Sequence, residues 1–170
     1  MISKKIQNAL NEQINRETYS EYLYLSMEAW FTSQNLDGFA HWMNIQQMEE
    51  KFHSMKFFHY ILSRGGTVEL KALAAPQVKF DSPLQIFTLA YEHEQYITKS
   101  INDLMALAIK ENDQATQSML QWYVDEQVEE EQNTDKMRVT LKSLGKEYSG
   151  LMMLDREAMT RVFTPPTTTP

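Results

Sequence analysis

The sequence contains no cysteine, which excludes disulfides, thiolate zinc sites, iron–sulfur clusters and a cysteine nucleophile together. Any metal it binds must be held by oxygen and imidazole. No stretch approaches the roughly 18 uninterrupted apolar residues of a membrane span. The beginning of the chain, MISKKIQNALNEQINRE, is polar and amphipathic and lacks the apolar core of a secretory signal. A cytoplasmic protein without a membrane partner is therefore expected. Positive charge is also short, with 16 Lys and Arg against 23 Asp and Glu and a net charge of -7. Such a field repels nucleic acid and concentrates small cations.

Glycine and proline are scarce, five of each in 170 residues. They cluster, and four long stretches are left free of both, each long enough for an amphipathic helix. The first helix is expected from about Lys4 to Ser33, with Ile6, Leu10, Gln13, Glu17, Tyr24 and Met27 on one broad face. A turn around Asn35 to Gly38 leads to a second helix from about Phe39 to Arg64, stopped by Gly65-Gly66. Ser82-Pro83-Leu84-Gln85 combines a capping serine, proline at the first helical position and glutamine three residues on, and starts a third helix reaching about Lys110. The fourth runs from about Gln114 to Leu144 and ends at Gly145.

The connection from Gly65 to Asp81 is unusually long for a compact domain. Helices of this size are about 39 Å long, and an extended connection of this length reaches about 56 Å. It can cross the bundle from end to end. Helices two and three then run parallel, and the fold class expected is an all-α four-helix bundle with one long crossover loop. Leu151 to Phe163 is expected as a short fifth, C-terminal helix, too apolar to stand alone and so buried between subunits. One domain over residues 1–163 and a disordered tail over 164–170 complete the expectation.

Acidic residues and a histidine fall on the apolar faces of these helices. Glu50 and His53 are three apart and project from one helical face about 5 to 6 Å from each other. A lone Glu-x-x-His is more often a solvated pair. Here the spacing repeats: 33 residues separate Glu17 from Glu50, and 33 separate Glu94 from Gln127, with Glu130 three further on. Each hairpin thus carries a lone carboxylate followed by an i/i+3 pair, and side by side the two hairpins place six side chains at one level. Glu17, Glu50, Glu94 and Glu130 supply four negative charges, which two divalent cations balance if His53 is neutral. Hard oxygen ligands with one imidazole favour iron or manganese over a closed zinc site.

Jointly with NEQIN-x-E at 11–17, Tyr24, the Glu49-Glu50-x-x-His53 block, Glu94 in YEHE and QWYVDEQVEEE at 121–131, this pattern resembles the non-haem bacterial ferritins, closest to the type A kind, over about residues 1–163. The resemblance implies a ferritin-like fold and ferroxidase activity, with dioxygen or peroxide taking electrons from paired Fe(II). It also implies storage of the ferric product in a homo-oligomeric shell of 24 subunits. Glu17, Glu50 and His53 would hold one iron, and Glu50, Glu94 and Glu130 the second, with Gln127 close by and Glu50 bridging. Glu49, Glu126 and Glu129 would form a third, adjoining iron site. Tyr24, two turns after Glu17, would hydrogen-bond to the site and serve as a possible electron donor.

The related bacterioferritins keep Glu-x-x-His in both hairpins, whereas this chain has Gln127 and Glu130 there, which weakens the second position. They also place a haem-ligating methionine directly after the first Glu of the motif, where this chain has Lys51. No haem is expected, and Met48 and Met55 are read as gap-fillers. His41, His59 and His93 lack partners at ligand spacing and are read as surface or structural, and Trp122 is given no role. Three other readings compete. They are a metal-free scaffold bundle, a di-iron enzyme for peroxide or an organic substrate, and a DNA-protecting miniferritin, for which only Lys4 and Lys5 offer basic character.

Overall fold

The computed structural model describes residues 1–165. Five helices follow in order: α1 (Lys4–Ser33), α2 (Asp37–Ser63), α3 (Pro83–Lys110), α4 (Gln114–Leu144) and α5 (Tyr148–Ala158). The four long ones form the bundle. Ser3 caps α1, Ser82 caps α3 with Pro83 in its first turn, and Asp113 caps α4. The Gln85 side chain reaches back one residue further than a capping box would, accepting from Asp81 N–H just before the Ser82 cap. Both hairpins turn on an asparagine in the left-handed region, Asn35 (φ 56°) and Asn112 (φ 54°), and Gly65 (φ 71°) closes α2.

The crossover, as expected, travels the length of the bundle. It lies along α1, whose polar side chains bind its otherwise unpaired backbone. Gln7 accepts from Thr67 N–H, Asn11 donates to Thr67 O and accepts from Glu69 N–H, and Ser26 donates to Gln77 O. These contacts climb from the start of α1 to its last third. At the end of the bundle where α1 begins, Arg64 forks onto both Asp113 oxygens at 3.1 Å, joining the end of α2 to the start of α4. Lys5 reaches Glu111 at 2.9 Å, joining the start of α1 to the end of α3. Helices α2 and α3 therefore run parallel.

Two apolar clusters fill the bundle, one at each end. Phe31, Phe39, Met43 and Phe87 centre the first, and Leu10, Phe57, Ile101 and Tyr123 the second. Between them lies a buried polar layer that includes Glu17, Glu50, His53, Glu94, Gln127 and Glu130. Met48 and Met55 are not in the core but exposed.

Helix α5 departs from expectation at both ends, running from Tyr148 to Ala158 rather than from Leu151 to Phe163. Tertiary contacts set its limits. Asp155 accepts from Phe39 N–H at 2.9 Å and so caps α2, whose own N-cap residue, Leu36, offers no side-chain oxygen. The two helices can meet this closely only at Gly38, where an added Cβ would lie 1.6 Å from the Asp155 carbonyl oxygen. Gly38 thus sits inside α2 rather than in the turn before it. Leu154 and Ala158 are buried against this chain's own core, not reserved for a neighbour, while Tyr148 and Met153 are exposed. Of the expected tail, residues 164 and 165 have no regular structure, and the rest lies outside the described residues.

Gly38→Ala is expected to push α5 off α2 and cost about 1–3 kcal/mol, the usual range for overpacking a filled site. The melting temperature should fall and protease should cut near residues 145–150. An unchanged melt with intact protease resistance would overturn this account of α5.

Candidate metal centre

Each helix of the bundle contributes to the polar layer: Glu17 from α1, Glu50 and His53 from α2, Glu94 from α3, and Gln127 and Glu130 from α4. All six are no more than 3% exposed. Ligand atoms of Glu17, Glu50 and His53 lie within 4.8 Å of one another, and so do those of His53, Glu126 and Glu130. Within these groups His53 Nδ1 is 3.7 Å from Glu50 Oε2, and His53 Nε2 is 3.9 Å from Glu126 Oε1. His53 is the residue common to both groups. Burial first, and then the charges of Glu94, Glu17 and Glu130, push the proton affinity of Glu50 well up.

Glu94 stands slightly apart. It accepts from the Tyr24 hydroxyl on one oxygen and from Gln127 Nε2 at 3.2 Å on the other. The sequence-based reading of Tyr24 as a hydrogen-bonding neighbour of the site thus matches its contact. Burial and three carboxylates hold the Tyr24 pKa well above its ordinary value. Of the residues expected at a third position, Glu126 turns towards His53, Glu129 is exposed, and Glu49 donates nothing but accepts from Arg161 at 2.6 Å. Glu49 nevertheless senses Glu130, Glu126 and Glu129 together.

The electrostatics identify what this layer lacks. Burial pushes Glu17 up to about 7 and Glu94 up to about 8, and it raises Glu50 and Glu130 as well. Burial also lowers His53 to about 3, so its imidazole is neutral at pH 7. Among the described residues none of the four buried glutamates forms an ion pair with Lys or Arg. Glu17 Oε2 and Glu50 Oε2 have no hydrogen-bond partner there. Buried carboxylates in this state must carry protons or receive cations. Four such groups with one neutral imidazole fit two divalent, oxygen-preferring ions.

Three contributors escaped the sequence reading. Gln13 Nε2 donates to Glu17 at 2.8 Å, Gln46 Nε2 donates to Glu130 at 2.9 Å, and Arg161 holds Glu49. The first two carried a signal, since Gln13 and Gln46 each stand one turn before a glutamate of the layer, Glu17 and Glu50, and are themselves 33 residues apart. Trp122, assigned no role, has its ring 5.4 Å from the His53 ring and edge-on to it, with Lys56 Nζ 4.0 Å from its centroid. His93 is structural, 2.7 Å from Ser20 Oγ, and His59 is exposed.

A four-helix bundle with one long crossover and a buried carboxylate and histidine cluster that could hold metal has the ferritin-like layout. Comparison narrows this. Residues 7–144 match the ferritin-like domain. The chain is 38% identical to a bacterial non-heme ferritin of Bacteroides fragilis over 92% of its own length and 98% of the relative's. It is 40% identical to one of Campylobacter jejuni, covering 92% and 93%. An engineered closed form of the Archaeoglobus fulgidus ferritin superposes with a TM-score of 0.95 at 47% identity, covering 96% of this chain and all of that one. The open-pore ferritin from the same archaeon gives 0.94 at 46%, covering 95% and 100%. The chain belongs to the ferritin family, which stores iron. Among the described residues no helix is long and apolar enough to cross a membrane.

Proposed function

We propose that this protein is a cytoplasmic, iron-storing ferroxidase whose functional unit spans residues 1–163. The observation that carries the reading is the set of four buried, unpaired glutamates around one neutral imidazole. Fe(II) is the substrate. Glu17, Glu50 and His53 hold one ion, Glu50, Glu94 and Glu130 the other, and Gln127 restrains Glu94 from the side. Each Fe(II) gives up one electron, and dioxygen or peroxide accepts the pair. Tyr24 keeps its proton and orients Glu94, and the apolar clusters above and below exclude bulk water. Glu49, Glu126 and Glu129 form the third position through which ferric product leaves. Lys51 stands where a haem-binding relative has methionine, so no haem belongs to the reading.

Storage requires a shell, for which we propose a homo-oligomer of 24 subunits. Tyr22 and Leu25 on α1 and Val78 on the crossover are exposed along one side, an apolar surface suited to contact with another copy. No nucleic-acid partner is proposed for a chain of charge -7.

With Gln127 and Glu130 in the second hairpin, the second iron is held by carboxylates alone and should be labile. Oxidised iron moves on and the site refills. Converting the hairpin to Gln127→Glu with Glu130→His should give tighter iron and slower regeneration. The measurement is iron occupancy followed by repeated aerobic Fe(II) pulses, in which the wild type recovers on standing and the double variant recovers less. If both proteins retain two irons per subunit and oxidise later pulses equally fast, iron is a fixed cofactor and the throughput mechanism is wrong.

A further inference from the structure

Beyond α5 the chain turns back and lies along α2. The Arg161 carbonyl oxygen is 2.8 Å from His41 Nε2, and the Phe163 ring packs on Phe52, itself in contact with His53 and Trp122. Residues 159–163 thus form a strap over the helix that carries Glu49, Glu50 and His53. The Arg161 guanidinium lies 4.2 Å from the centre of the Trp42 ring and donates to Glu49 Oε2 at 2.6 Å. Both side chains are mostly covered, at 16% and 14% exposure. Beside them opens a cavity of about 330 Å³, lined also by Glu129 and Asn133.

A guanidinium seated on Glu49 Oε2 neutralises that carboxylate and competes with a metal ion for it. The other acids of this cluster are differently placed. Glu126 faces His53 and feels Lys56 only at longer range, Glu129 faces the cavity, and among the described residues Glu49 alone of the three forms an ion pair with a Lys or Arg.

We propose that Arg161 is a built-in counter-ion at Glu49, displaced when a metal ion enters the outer acidic cluster and returning when the ion leaves. The C-terminal strap then sets how readily ions pass from the buried pair to the cavity beside it. Arg161 is a positioning residue, acting through Glu49. The inference rests on the reading of Glu49, Glu126 and Glu129 as an exit site, and its test separates the two.

The test is calorimetric titration of the intact apo-protein with Zn(II), a divalent probe without redox chemistry, alongside aerobic Fe(II) oxidation. Arg161→Gln should tighten the weakest Zn(II) ion of the wild type by about tenfold, as expected for removing one close competing charge, and leave the tight ions unchanged. Arg161→Lys keeps the charge and should stay near wild type. Adding Glu49→Gln to Arg161→Gln should abolish the gain, which a merely structural effect of the arginine would not do. Unchanged weak-site affinity in Arg161→Gln, or a gain that survives Glu49→Gln, overturns the proposal while leaving the ferroxidase reading intact. Wild-type protein that binds Zn(II) but does not accelerate Fe(II) oxidation overturns that reading instead.

Discussion

Glu50→Ala and His53→Ala are each expected to lower the initial rate of Fe(II) oxidation by at least about two orders of magnitude, because even a hydrogen-bonding neighbour of a metal ligand is worth 10- to 100-fold. Glu50 is the carboxylate that all three other buried glutamates act upon, and His53 is the one imidazole in the layer and the residue shared by both groupings. Without either, two Fe(II) ions cannot sit side by side. The bundle itself should survive. The Glu50 carboxylate is buried, and its Oε2 has no hydrogen-bond partner among the described residues. Its removal should leave the apo-protein about as stable as before, the relief of a buried carboxylate without an ion pair offsetting the small cavity left behind. Stopped-flow absorbance of ferric product and apo-protein melting measure the two effects. A variant oxidising at the wild-type initial rate would remove the paired site from the account.

The second large effect is on stability as a function of pH. Folding raises Glu17 to about 7 and Glu94 to about 8, from 4.5 for an ordinary glutamate. Between those limits the folded state holds protons that the unfolded chain has released. Apo stability must therefore fall as pH rises. His53 and His93 act in the opposite sense, being lowered to about 3 and about 4 from 6.5, but they lose their influence above pH 6.5. The carboxylates alone govern the window from about pH 6.5 to 8. Glu17 and Glu94 together should remove on the order of 2 kcal/mol there. Metal loading should reverse the trend, since divalent ions displace these protons and bind more tightly as pH rises. Denaturant unfolding of apo and Zn(II)-loaded protein at several pH values provides the measurement. An apo stability that is flat or rising across this window would contradict the buried-carboxylate account.

The helices and the six-residue layer were legible because two kinds of signal coincide in this chain. Glycine and proline fall between helices rather than within them, and the 33-residue spacing survives any uncertainty about helix ends. The structure adds a third regularity, for Asn35 and Asn112 are 77 residues apart, the same interval as Glu17 to Glu94 and Glu50 to Gln127. What was not legible depends on contacts distant in the chain. Gly38 reads as a turn residue until Asp155 is seen capping α2 across 116 residues. Helix α5 reads as continuing to Phe163 because its apolar pattern does, yet contacts between the strap and α2 take the chain out of the helix after Ala158. Arg161 is one cation in a segment whose apolar residues dominate its reading, and its distance in sequence from Glu49 hid their pairing.

The crossover between α2 and α3 divides the centre evenly. Glu17, Glu50 and His53 lie before it, and Glu94, Gln127 and Glu130 after it. Each hairpin is closed by a short turn, at Asn35 and at Asn112, so the contacts that join the two halves are the long-range ones. Each half presents two glutamates to the other. As pH rises and these groups lose their protons the faces repel, and on the proposed reading a divalent ion held between them would turn the repulsion into attraction. On the proposed reading, iron would be cargo and fastener at once, and the cohesion of the two halves would rise and fall with the iron they hold.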